Sequence, residues 1–183
     1  MSPKKNSRLN VVSYDASLQR LASTFNSRNS YLDNFLRESR SLDDGFGKTY
    51  VLLSEDDSNI IRYYNIGVGY IEQIRGRARV KIGGSAHINC FALDEEYHGL
   101  LQNITADGVQ INLSDVLLDD CIRRICNIRD NHIGFAFITL CSTEQGYNLY
   151  KRNDFEELEG DMNFSADEND YDCFSMYLPL DIE

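Results

Sequence analysis

Between residues 87 and 141 the chain passes twice through an apolar strand, with an amphipathic helix between the two passages, and this alternation is what most narrows its fold. In residues 87–93, Ile88, Cys90 and Ala92 alternate with Asn89, Phe91 and Leu93. Both faces are therefore largely apolar, as a strand in the middle of a sheet requires. Ser114 is expected to cap a helix on which Leu117, Cys121, Ile125 and Ile128 form one apolar stripe. Residues 134–141 then return to an apolar strand. Alternating strands and helices over this half imply a mixed sheet with helices packed on it.

The remainder reads in the same terms. Residues 17–25 predict a short helix with Leu18, Leu21, Ala22 and Phe25 on one face, and Ser30 an N-cap for a second, carrying Leu32, Phe35 and Leu36 and ending near 43. Residues 50–53 form a compact strand and 60–74 a long one, in which Gly67 and Gly69 permit a bend or bulge. Gly83-Gly84 is read as a turn after a strand at 79–82, and 94–113 as an irregular connector. Ser142 and Gln145 make a capping-box pattern opening a helix with Tyr147, Leu149 and Tyr150. Strands at 155–158 and 173–180 flank an acidic loop at 159–172. No repeat or linker interrupts the pattern, so one domain is expected over residues 1–183, with 1–10 a flexible polar segment.

Charge and cysteine usage narrow the partners. Eighteen Lys and Arg against 29 Asp and Glu give a net charge of −11, which opposes the phosphate neutralisation that nucleic-acid binding relies on. The cluster Arg75, Arg77, Arg79 and Lys81 reads as the solvated face of a hairpin. The longest apolar stretch, 135–141, is far short of the ~20 residues that cross a bilayer. Five cysteines with no CxxC pair read as reduced thiols in a cytoplasmic protein, Cys90 and Cys141 as core residues. His87, His98 and His132 are scattered, so no metal is expected; His87 is read as structural and His98 as a loop histidine. Asp167, Glu168 and Asp170 lack the glycine and terminal glutamate of a calcium loop.

Several short fragments, in order, carry a family resemblance. They are Phe25-Asn26-Ser27, Tyr31-Leu32-Asp33-Asn34-Phe35-Leu36, Lys48-Thr49-Tyr50-Val51-Leu52, Gly67-Val68-Gly69, Ala92-Leu93-Asp94-Glu95-Glu96-Tyr97-His98-Gly99 and Leu149-Tyr150-Lys151-Arg152-Asn153-Asp154-Phe155. From Phe25 to Phe155 the chain resembles the GCN5-related N-acetyltransferase (GNAT) family, in its toxin-type branch. Collinearity carries the match, since no fragment is specific alone.

The resemblance implies an α/β (α+β) fold with a mixed central sheet and helices on both faces. It implies acetyl-CoA as co-substrate, in a V-shaped gap between two splayed parallel strands. Backbone groups around Phe91 and Leu93 would pair with the pantetheine arm, and His98, Gly99 and Ser114 would lie along the diphosphate loop and the start of the following helix. Tyr150 would protonate the departing thiolate; the base is not assigned. The acceptor would be a primary amine on a small molecule, peptide or protein; the family also admits tRNA, against which the net charge argues, and a homodimer.

Departures from the family pattern support an alternative, a GNAT-fold binding or regulatory protein that no longer uses acetyl-CoA. The diphosphate loop, written (Q/R)xxGx(G/A), is His98-Gly99-Leu100-Leu101-Gln102-Asn103 here, with Leu101 and Asn103 in place of glycines. An insertion of about eleven residues follows, at a closure cost well under ~2 kcal/mol. Asp107-Gly108 or the N–H groups near Ser114 are candidates to rebuild the cradle, and Asp115 is expected to compete for the helix's positive end. Asp154 replaces the closing motif's glycine, a mild change because aspartate tolerates turn conformations.

Overall fold

Two sixteen-residue strands, β3 (Ile60–Arg75) and β4 (Ala78–Leu93), form an antiparallel hairpin on which the other elements are assembled. The computed structural model describes residues 11–99, 101–104, 110–165 and 173–180. The N-terminal ten residues, Asp107-Gly108, and the stretch with Asp167, Glu168 and Asp170 lie outside them. Gly76 closes the hairpin at φ 64°, a conformation that glycine adopts without a Cβ penalty. Gly83-Gly84 is not a turn: both residues lie inside β4, paired with Ile71 and Tyr70. The turn reading fails because glycine also serves close approach, and a Cβ at Gly83 would meet the Phe137 ring at 2.9 Å.

The sheet runs in the order β1 (Val11–Ser13), β2 (Lys48–Leu53), β3, β4, β7 (Phe137–Ser142), β10 (Phe174–Pro179), β8 (Glu156–Glu157), with β9 (Met162–Ser165) paired to β3. All pairings are antiparallel except β4 with β7, so the sheet is mixed, as expected. That parallel ladder is short, from Ser85 opposite Phe137 to Ile88 opposite Leu140. Beyond it the two strands part.

Each face of the sheet has its own core. On one, Leu117, Leu118, Cys121 and Ile125 of α2 (Leu113–Asn131) and Tyr150 of α3 (Glu144–Lys151) pack with Tyr64, Ile66, Ile88 and Leu140. On the other, Phe35 and Leu36 of α1 (Ser30–Arg37) join Ala22, Phe25, Val51, Tyr63 and Cys90. Ala22 belongs to a 3₁₀ turn, Gln19–Ser23, in place of the longer helix expected there. Among the described residues no helix is long and apolar enough to cross a membrane.

Helix starts differ from the sequence reading by one or two residues, because the cap is the last extended residue before the turn. Asn29 caps α1, accepting from Tyr31 and Leu32 N–H; Thr143 caps α3, accepting from Gly146 N–H; and Asn112, not Ser114, caps α2. The connector expected to be irregular contains a two-stranded ladder, β5 (Leu101–Ile104) with β6 (Gln110–Asn112).

The cysteines correct the reading of five reduced thiols. Cys141 at the end of β7 and Cys173 before β10 are disulfide-bonded, with Cα atoms 5.5 Å apart. Their sequence separation of 32 residues carries no signal; the antiparallel register of β7 with β10 brings them together.

A bulge in β4 shapes its middle. Cys90 pairs with Asn65 and Ile88 with Ile66, leaving Asn89 without a strand partner. Asn89 Nδ2 instead donates to Phe46 O at 3.0 Å and Asn65 Oδ1 at 2.7 Å, over Gly67. A Cβ at Gly67 would lie 2.6 Å from Asn89 Nδ2 and 2.9 Å from Phe46 O. Gly67→Ala is expected to cost about 1–3 kcal/mol, read as a lower unfolding midpoint in urea with an unchanged m-value.

Candidate active site

Where β4 and β7 part, the peptide groups on one edge of β4 beyond Ile88 have no neighbouring strand. The space between the strands is a cavity of about 920 Å³. Phe91, Leu93, His98, Gly99, Ser114 and Tyr150, the six residues singled out from the sequence, all line it. They come from the end of β4, the loop after it, the first turn of α2 and the last turns of α3.

Tyr150 is placed by the end of its helix. Its carbonyl accepts from Asn153 N–H at 3.0 Å and Phe155 N–H at 3.1 Å, closing α3 through Asp154 at φ 66°. Aspartate thus adopts the left-handed conformation for which a glycine is otherwise used. The ring meets Phe91 and Phe155 edge-on, at centroid distances of 6.1 and 5.6 Å. The hydroxyl makes no hydrogen bond among the described residues, and burial pushes its pKa well above the ordinary phenol value, so it keeps its proton at neutral pH.

The opposite wall is tied to the first half of the chain. Asp94 accepts from Asn26 N–H at 2.9 Å, and Glu95 accepts from Arg28 Nε at 2.6 Å. Buried Asp33 holds both the N–H and the hydroxyl of Ser27. These three carboxylates fold residues 26–29 over the cavity, with Arg28 at φ 65°. His98 Nε2 donates to Leu93 O at 2.8 Å, pinning the loop after β4 against the strand's last residue. Gly99 turns the chain at φ 72°.

At the start of α2 Asp115 stands in the first turn and takes the N-cap N–H. Its carboxylate does not stand as a bare charge at the positive helix end. Oδ2 accepts from Asn112 N–H at 3.0 Å, and Oδ1 accepts from Arg152 Nε at 2.7 Å and Asn153 Nδ2 at 3.3 Å. Burial pushes its pKa up, but these hydrogen bonds outweigh it and the net shift is downward. Beneath the same turn lies Arg62, wholly buried, with Nη1 donating to Leu113 O at 3.1 Å and Nε and Nη2 without partners. Burial lowers its pKa to about 10, which leaves it cationic at neutral pH.

Sequence reasoning did not single out Arg62, Asn89 or the tie from Arg152 to Asp115, and it read His87 as structural. An arginine in the apolar context of β3 was the available signal for the first. Asn89 could not be found, because its exposure to the cavity depends on the bulge. Among the described residues no group of three or more metal-ligating side chains occurs.

No protein-family model matches the sequence, and no curated protein is similar to it. Solved structures, in contrast, share the fold. AtaTR bound with AcCoA superposes with a TM-score of 0.66 at 16% identity, covering 92% of either chain. AtaT complexed with acetyl-methionyl-tRNAfMet gives 0.64 at 17%, over 94% of this chain and 95% of that one. A GNAT-family acetyltransferase from Staphylococcus aureus Mu50 gives 0.60 at 15%, over 94% and 99%. The chain has the GNAT fold.

Asp115→Asn tests the tie at the start of α2. Because folding lowers this carboxyl's pKa, the stability it adds is complete above the unfolded value, near ~3.9, and is lost as pH falls through the lower folded value. The variant is expected to lose about 1 kcal/mol at pH 7, and the gap to the wild type to close as the pH is taken below 3 in urea titrations.

Proposed function

We propose that the chain is an acyl-CoA-dependent N-acyltransferase that moves an acetyl group from acetyl-CoA directly to a primary amine, with Tyr150 as general acid. The observation carrying this reading is the open cavity between the parted strands, which joins an edge of β4 without a strand partner to Tyr150. A backbone edge of this kind accepts an extended amide-bearing arm as an added strand. Phe91 and Leu93 supply that edge, with the Leu93 carbonyl already accepting from His98 Nε2.

The residues fit the cofactor at its anionic end as well. The first turn of α2 presents N–H groups and the positive end of the helix dipole near Ser114. The buried Arg62 cation beneath it reinforces the sign, while the Arg152 guanidinium, which lines the cavity, offsets the Asp115 carboxylate. His98 and Gly99 line the same end. The bound thioester supplies an electrophilic carbonyl and a thiol leaving group. Tyr150 holds its proton until sulfur becomes anionic, and burial in one low-dielectric cavity raises the proton affinity of phenolate and thiolate alike.

The acceptor class follows from charge and from the fold relatives. At −11 the chain disfavours long phosphate backbones, so a small amine, a peptide or a protein amino group suits it better than tRNA. The AtaT complex with acetyl-methionyl-tRNAfMet supports an α-amino group as the reacting centre.

Two measurements test the reading. Calorimetry is expected to show acetyl-CoA binding to the wild type and, within about twofold, to Tyr150→Phe; no binding at millimolar cofactor overturns the reading in favour of a binding protein. Tyr150→Phe is expected to lower kcat roughly 100-fold while the KM for acetyl-CoA stays nearly unchanged, because the proton is needed only as the thiolate forms. Equal losses in both, or none, overturn the assignment of Tyr150.

A further inference from the structure

Two buried chains of hydrogen bonds cross the sheet, and both end on a cavity-lining residue with a lone pair to spare. In the first, Thr139 Oγ1 donates to Ser85 Oγ at 3.2 Å, so its single proton is spent, and it accepts from His87 Nδ1 at 2.9 Å. The imidazole therefore carries its proton on Nδ1, and Nε2 is an acceptor. In the second, Thr49 Oγ1 donates to Ser41 O at 2.6 Å and accepts from Asn65 Nδ2 at 2.9 Å; Asn65 Oδ1 accepts from Asn89 Nδ2 at 2.7 Å. Asn89 Nδ2 gives its other hydrogen to Phe46 O. Both partners of that amide are oxygens, so its orientation is fixed and Oδ1 remains an acceptor.

His87 and Asn89 both line the cavity, and neither Nε2 nor Oδ1 has a hydrogen-bond partner among the described residues. The imidazole is held by the Phe164 ring, 5.0 Å between centroids. Burial lowers its pKa to about 4, so it is neutral near pH 7. Two acceptor lone pairs open to one cavity suit a ligand atom carrying two N–H bonds.

We infer that His87 Nε2 and Asn89 Oδ1 form the cradle of the acceptor amine, with His87 as the catalytic base. This rests on the transferase reading above. The two acceptors take the two hydrogens of a neutral primary amine, leaving the nitrogen lone pair directed away from them, toward the thioester. As nitrogen bonds to the acyl carbon its proton passes to His87 Nε2. The carbon–sulfur bond breaks with its electron pair on sulfur, which takes the Tyr150 proton. The products are the amide and CoA thiol; the imidazolium and the tyrosinate return to neutrality by proton exchange with water. A hydroxyl or a secondary amine brings one hydrogen and leaves one acceptor unmet, so the site selects primary amines.

The test has an arm that needs no acceptor. Nitrogen-15 NMR of the full chain at pH 7 distinguishes imidazole tautomers, and only His87, His98 and His132 contribute. His87 is expected neutral with its proton on Nδ1; the other tautomer, or an imidazolium, overturns the cradle. Acetylation of a tripeptide with a free α-amino group, and of its N-methyl counterpart, gives the second arm. His87→Gln, which keeps an acceptor but not a base, is expected to lower kcat about 100-fold with acetyl-CoA affinity within twofold, and Asn89→Ala to erase the preference for the primary amine. Unchanged turnover in His87→Gln, or an unchanged preference in Asn89→Ala, overturns the proposal while acetyl-CoA binding keeps the transferase reading intact. A wild type that binds no acetyl-CoA overturns both.

Discussion

The parallel ladder between β4 and β7 spans only Ser85–Ile88 against Phe137–Leu140, and the rest of the site depends on where it stops. Strands packed on both faces ordinarily stay paired along their length, because buried peptide groups need partners. Here β7 is drawn instead onto β10, through six antiparallel pairs from Phe137 to Ser142. β4 is held over sixteen residues by β3 on its other side. Each strand keeps one complete ladder, so the shared one can end early without loss of either. The opening is a consequence of two independent pairings, and it leaves a polar backbone edge facing the cavity.

Polar groups inside this sheet are few and are paired in a fixed direction. Thr139, His87 and Ser85 form one connected set, and Ser41, Thr49, Asn65 and Asn89 another. Burial of such groups is tolerable only when donors and acceptors match. Both sets match everywhere except at the cavity. Arg62 breaks the rule more openly, with two of its nitrogens unpartnered beneath the first turn of α2. A buried cation of this kind costs stability, and its position gives that turn a more positive potential than the helix dipole alone supplies.

The segment before α2 is where the sequence departs most from the family pattern it resembles. It contains the β5–β6 ladder, and the helix begins directly after β6 at Leu113. Asp115, at the third position of the helix, is drawn into a capping contact and an ion pair with Arg152, which joins the start of α2 to the end of α3. The two helices that bound the cavity on this face are thereby fixed to one another. The α1 side is fixed separately, by Asp94 and Glu95 gripping residues 26 and 28.

What the sequence determined by itself is the alternation of apolar strands and amphipathic helices, hence a mixed sheet with helices packed on it. Period and burial are local properties written into residues such as Phe91, Leu117 and Leu140. Through the family resemblance it also marked six residues that line the cavity and, separately, Asp154 as a tolerable stand-in for glycine. Tertiary structure alone decided three things. Gly83-Gly84 became strand because a facing ring needs the room, and Cys141 met Cys173 because of a register set by two distant segments. His87 and Asn89 acquired open lone pairs because their other bonds are made by Thr139, Phe46 and Asn65, residues 52, 43 and 24 positions away. Hydrogen-bond direction belongs to the assembled network, and no local pattern encodes it.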